Sequence, residues 1–432
     1  MEIIKWIATN VFGIPAFLLG FIVLLGLLLQ KKTVNQVISG TCKAIIGFLI
    51  INAGAGVIVN ALTVFEPMWS EVFGIKASSF SQFIGQKEFN TQFGSAVTLA
   101  MTLGFLINVL LARFTKFKYI YLTGHMMFWT TTIFAGIVIH TAGTDVPYWK
   151  LVAFLSIIMG LYWTFQPALI QPFLRKIIGS DSFALGHTSA SVSLLGAIAG
   201  KYLGNKDNDA EKVNLPKKIE FLRDSNVITS LTMGVLFVIG AIVLLLKNTE
   251  GAQTLIAKAG DQNFVIYAII QSFTFAAGIA VVLFGVRLFV GEMVPAFNGI
   301  ATKLVRGAIP ALDCPLVYPY SPNSVILGFI GAFIGIILWL VVLGQGIGYV
   351  FIPTMIVLFF HGATAGVFGN STGGVRGALL GGFITTTVVA WGQFLMVNFF
   401  ITSTIPDTAM WAADSDMFIL GPIIKLLAQL IF

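Results

Sequence analysis

"YIYLTGHMMFWTTTIFAGIVIHTAGT", Tyr119–Thr144, runs for 26 residues without a charged side chain, yet it carries two of the chain's four histidines. A spanning helix needs roughly 20 apolar residues, so the stretch is long enough to cross a bilayer. An ionisable side chain at such depth is costly and is a functional candidate by default. His125, after Gly124, lies near the middle of the apolar run, whereas His140 falls near its outer end and reads as interfacial.

Similar charge-free runs fill the rest of the chain: Trp6–Gln30, Ala44–Phe65, Asn90–Ala112, Leu151–Leu174, Ser225–Leu246, Gln262–Val286, Cys314–Val375 and Gly377–Pro406. Met417–Phe432 carries only Lys425. With 57% hydrophobic and 10% charged residues the chain departs from a soluble domain, where charged residues make up roughly 25%. The first run is too long for a cleavable leader and reads as a span. The expected fold is all-α and polytopic, with eleven transmembrane helices.

The net charge of +7 does not imply nucleic acid, because the basic residues sit in short loops rather than in one stripe. Placing the N-terminus outside and the C-terminus inside puts 18 of the 25 Lys and Arg on the inner face, as the positive-inside bias requires. Two cysteines, Cys42 and Cys314, are too few for a disulfide framework or metal cluster. No metal or cofactor site is expected.

One long hydrophilic connection, 201–225, holds eleven charged residues. It divides the chain into a first half, 1–200, a second half, 226–405, and a last transmembrane helix, 413–432. "AIIGFLIINAGAGVIVNALTVFEPMWSEVFGI" (Ala44–Ile75) aligns with "AIIQSFTFAAGIAVVLFGVRLFVGEMVPAFNGI" (Ala268–Ile300), with weaker echoes at His125 and His361 and at Leu185–Val192 and Phe368–Val375. Under the charge-derived topology the copies are inverted. That architecture places substrate near the bilayer midplane at broken helices, with access alternating between sides.

Four segments combine turn residues with polar groups at apolar depth: Leu122–Trp129, Ser182–Ser191, Ile309–Ser324 and Phe359–Gly374. They are expected to be re-entrant hairpins or interrupted helices, since irregular backbone survives there only when protein or a water-filled cavity satisfies it. His125 and His187 each follow a glycine, and a helix starting after His187, Thr188 and Ser189 would aim backbone N–H groups at a ligand. Asp313 stands between Pro310 and Pro315 and needs partners, which sugar hydroxyls or the cap of the next helix would supply. His361 either mirrors His125 or packs. No HExxH, GxSxG or Walker sequence occurs, so an enzyme acting alone is the weaker reading and a transporter of a hydroxylated substrate the stronger.

At these residues the chain resembles enzyme IIC, the membrane component of the ascorbate family of bacterial phosphotransferase-system permeases. The resemblance is carried by "IIGFLIINAGAG", "LTGHMMF", "ALGHTSA", "FLRDS", "VPAFNGI", "PALDCP" and "GATAGVFGNSTGGVRGA". It implies a homodimer in the bacterial cytoplasmic membrane, each subunit with a substrate-carrying core moving elevator-fashion against a dimerising scaffold. Sugar transport would be coupled to phosphorylation by a separate, cysteine-phosphorylated IIB protein charged by IIA, so this chain would carry no phosphorylation site of its own. The substrate-binding set implied by resemblance is His125 with Met126, Met127, Phe128 and Trp129, then His187, Thr188 and Asp313, with a polar pair placed near Gln82 and Phe83. Trp129 and Thr188 stand where the ascorbate pattern has glutamines. A polyol such as galactitol, and a cation-coupled secondary transporter with the same repeat, are the alternatives.

Overall fold

Apolar runs longer than a bilayer is thick fold as helices, because in lipid every backbone polar group must be satisfied within the segment or by protein. In the computed structural model, residues 15–74, 86–212, 217–218, 221, 224–247, 249–349, 351, 355–396 and 415–432 are described. Twelve α-helices occur among them: α1 Pro15–Leu29, α2 Val34–Phe73, α3 Gln86–Phe114, α4 Gly124–Ala142, α5 Tyr148–Ile178, α6 Ala190–Leu203, α7 Ser225–Leu246, α8 Glu250–Ala257, α9 Phe264–Lys303, α10 Pro322–Gly346, α11 Met355–Leu395 and α12 Ser415–Ile431. Seven helices among the described residues are long and apolar enough to span a membrane, those within α2, α3, α5, α7, α9, α10 and α11. The protein is a helical, polytopic membrane protein.

The two longest uninterrupted helices, α2 and α9, are 40 residues each and pack antiparallel, with α1 and α7 against them. They cross where Gly54 meets Gly278: a Cβ on Gly54 would lie 2.9 Å from the Gly278 carbonyl oxygen, and one on Gly278 would lie 3.0 Å from that of Gly54. These glycines occupy equivalent positions in the aligned sequence segments. No side chain fits between the backbones at the crossing.

A second group joins α3 to α5, α6 to α11, α10 to α11, and α12 to α4 and α11. The α11 run reverses at Gly374 (φ +61°, ψ −154°), so that Gly369 faces Gly377 and Ala365 faces Gly381. Only glycine takes this positive φ without strain. A side chain there would also strike the carbonyls of Asn205 and Asn208. The segment Phe359–Gly374, expected as a re-entrant hairpin or an interrupted helix, is regular helix up to Gly374, where the run doubles back. Its run of small residues packs helix on helix rather than exposing backbone.

The other three polar segments are irregular, and they meet. Strands β1 (Tyr119–Tyr121), β2 (Ala184–Leu185) and β3 (Ile309–Leu312) form a parallel sheet in the order β1-β3-β2. Tyr121 is paired with Ala311 and Leu185 with Leu312. Tyr119–Thr144 is thus not one helix: it enters as strand and becomes helix only at Gly124.

An open sheet edge is not tolerated at membrane depth, and side-chain amides close both edges here. On the β1 side, Asn108 of α3 accepts from the Tyr121 N–H (3.0 Å) and donates to the Tyr119 carbonyl (3.0 Å) and to Thr164 (2.8 Å). On the β2 side, Gln171 donates to the Phe183 carbonyl (3.2 Å) and Gln166 to the His187 carbonyl (2.8 Å). Pro310, in the central strand, costs no ladder bond because β2 pairs only from Ala311 onward.

Candidate functional site

Each strand hands the chain to the site at its C-terminal end. β1 leads to Thr123, Gly124 and His125; β2 to Gly186, His187 and Thr188; β3 to Asp313. A helix starts directly after each: α4, α6, and a 3-10 helix over Cys314–Tyr320. Parallel pairing places all three turns at one level. The approach to β2 is anchored by Asp181, which accepts from Arg175 (2.8 Å) and Gln171 (2.9 Å). Burial acts to raise the Asp181 carboxyl, and these hydrogen bonds outweigh it and hold the group below its ordinary value.

Asp313 is the centre. His125 Nε2 lies 3.5 Å from one carboxylate oxygen and His187 Nε2 3.7 Å from the other. The Cys314 N–H donates to Oδ1 (2.7 Å), so Asp313 also caps the 3-10 helix. His187 is buried, and its Nδ1 accepts from the Ser189 N–H (3.1 Å) with the Ser189 hydroxyl 2.9 Å away. A backbone N–H can only donate, so the proton of the neutral ring sits on Nε2, facing Asp313. His125 is half exposed, and with Asp313 it lines a cleft bounded opposite by Leu19, Phe48 and Phe289 of α1, α2 and α9.

His187, Asp313 and Cys314 offer donor atoms within 4.8 Å of one another, close enough for a metal ion to bridge. The chemistry does not suit one, because a metal ligand needs a lone pair at the His187 nitrogen that carries the proton.

Behind His187 lies a second layer. The Ser415 hydroxyl donates to the Thr188 carbonyl (3.1 Å) and accepts from His361 Nδ1 (2.7 Å), while the Asp416 N–H donates to the same carbonyl (3.1 Å). The Asp416 carboxylate accepts from the Ser191 N–H (2.8 Å) and the Tyr162 hydroxyl (2.7 Å). This corrects one expectation: α6 does not present its first amides to a ligand, because Ser189 N–H donates to His187 Nδ1, Ala190 N–H to the His187 carbonyl and Ser191 N–H to the buried Asp416 of α12. His361 packs behind His187, ring centroids 5.0 Å apart, rather than joining the cleft as a counterpart of His125.

Of the other expected residues, Met126 receives the Thr188 hydroxyl on its sulfur (3.5 Å), Thr188 is buried, and Met127 faces the protein interior. Phe128 and Trp129 follow His125 by one helical turn on the same face of α4. Gln82 and Phe83 lie outside the described residues.

A family model described as PTS system sugar-specific permease component matches residues 10–416. The chain belongs to this family. A curated relative of this permease, described as the ascorbate-specific PTS system EIIC component of Mycoplasma pneumoniae (strain ATCC 29342 / M129 / Subtype 1), is 28% identical over 444 residues, covering 91% of this chain and 67% of the relative.

Sequence reasoning reached His125, His187 and Asp313 but missed Asn108, Tyr162, Gln166, Ser415 and Asp416. Asp416 carried a signal, since an acidic residue directly before the apolar run "MFILGPII" is the pattern of a helix first turn. Asn108 carried none, being one amide in an apolar run.

Proposed function

We propose that this permease imports a sugar acid, ascorbate first among candidates, and delivers it for phosphorylation by a separate IIB protein bearing a phosphocysteine. The observation that carries the reading is the convergence of His125, His187 and Asp313 on one cleft-side level. Asp313 accepts hydroxyl hydrogen bonds, His187 donates through Nε2, and His125 contacts the substrate from the cleft. The relative's description supplies the substrate class. Soluble IIA and IIB proteins act as partners, and the subunit works as a homodimer.

The mechanism in this reading is elevator-like. The sheet with α3–α6 and α10–α12 carries the site, and α1, α2, α7 and α9 form the scaffold. The glycine-to-glycine crossing of α2 and α9 supports descent of the two halves from an inverted repeat, with eleven spans, the N-terminus outside and the C-terminus inside.

The test is uptake of labelled ascorbate into vesicles containing the permease and supplied with phosphoenolpyruvate and the soluble phosphotransferase proteins. The expected product inside is the phosphorylated sugar acid. Free ascorbate accumulating along a proton or sodium gradient would instead establish a secondary transporter, and galactitol uptake without ascorbate uptake a polyol permease.

A further inference from the structure

Two long helices begin at the site, and only one has its N-terminus closed. The first intrahelical bond of α4 runs from the Met127 N–H to the Thr123 carbonyl, so the amides of Gly124, His125 and Met126 precede it. A threonine at the N-cap usually accepts from one of these amides. Here Thr123 makes no such bond. The residue is 4% exposed, its hydroxyl has no hydrogen-bond partner, and it lines the same cleft as His125 and Asp313.

A buried hydroxyl without a partner is uncommon and calls for an explanation, and a helix start with free amides favours negative charge. Thr123, Gly124 and His125 are consecutive, so all three offer donors to one small volume. Asp313, 3.5 Å from His125 Nε2, repels an anion and accepts hydrogen bonds from hydroxyls. The cleft is thereby polarised: donors at the start of α4, an acceptor at Asp313.

We propose that the Thr123 hydroxyl and the first amides of α4 form an anion subsite that holds the negatively charged oxygen of a sugar acid, making Thr123 a determinant of sugar acid over neutral polyol. The inference rests on the sugar-acid reading above and assigns the end of the substrate that each group holds. Asp313 then faces the hydroxylated end.

Thr123→Val keeps the shape and removes the hydroxyl. Isothermal titration of the purified full chain with ascorbate should give an affinity lowered by about tenfold or more, the usual weight of a hydrogen bond to a charged group, with Thr123→Ser close to wild type. Thermal melting without ligand should not fall for Thr123→Val, since no intramolecular partner is lost, while the stabilisation by ascorbate should shrink. Unchanged ascorbate affinity in Thr123→Val, or a melting temperature lowered in the absence of ligand, overturns the subsite and leaves the sugar-acid reading standing. A wild-type chain that binds galactitol but no sugar acid overturns that reading and the subsite with it.

Discussion

The starts of α4 and α6, "LTGHMM" (Leu122–Met127) and "LGHTSA" (Leu185–Ala190), share a leucine and a glycine–histidine pair and are closed differently. Both follow a strand, both place a histidine beside Asp313, and both start a helix. At α6 the amides are taken by His187 itself and, at Ser191, by the carboxylate of Asp416, brought 225 residues along the chain, and the histidine is buried. At α4 the amides and a buried hydroxyl are unclaimed, and the histidine faces the cleft. The difference teaches that a glycine–histidine turn at a helix start is only a frame. Whether it binds a ligand or holds the framework depends on which remote side chain closes it.

The comparison can be broken by giving α4 the cap that α6 has. Thr123→Asp places a carboxylate against the first amides of α4, and ascorbate titration should register no binding, because like charges brought together cost several kcal/mol. The reverse experiment opens α6: Asp416→Ala removes the carboxylate that accepts from the Ser191 N–H and the Tyr162 hydroxyl. Chemical or thermal unfolding in detergent should report a loss of about 3 kcal/mol, in line with removing the charged partner of two donors. The smallest effect is expected where the two turns share a residue. Asp313→Asn retains the Cys314 cap but loses the charge between the histidines, and should weaken ascorbate by about tenfold, the equivalent of one charge-assisted bond, with the melting temperature unchanged.

Much of the architecture was legible from composition and pattern. Charge-free runs announced a polytopic membrane protein, and proline, glycine and histidine at apolar depth marked the three turns that meet. The sheet was not legible, because "YIY", "AL" and "IPAL" are too short to display the two-residue alternation that distinguishes a strand from an apolar helix. Its parallel pairings join residues 190 apart in the case of Tyr119 and Ile309. Phe359–Gly374 stayed ambiguous for the opposite reason: glycines that permit a turn also permit close helix packing, and here Gly374 makes the turn while Gly369 and Gly377 pack. Thr123 drew no notice in the sequence, and only its missing N-cap hydrogen bond sets it apart.

The order β1-β3-β2 has a mechanical corollary. Backbone hydrogen bonds from Leu122 to Ala311 and from Gly186 to Leu312 rivet the three arms together immediately before His125, His187 and Asp313. Any displacement that carries Asp313 must carry both histidines with it, at fixed mutual distances. In the proposed elevator-like movement, cargo held there would keep its contacts as one unit, and the sliding would fall to the apolar wall of Leu19, Phe48 and Phe289.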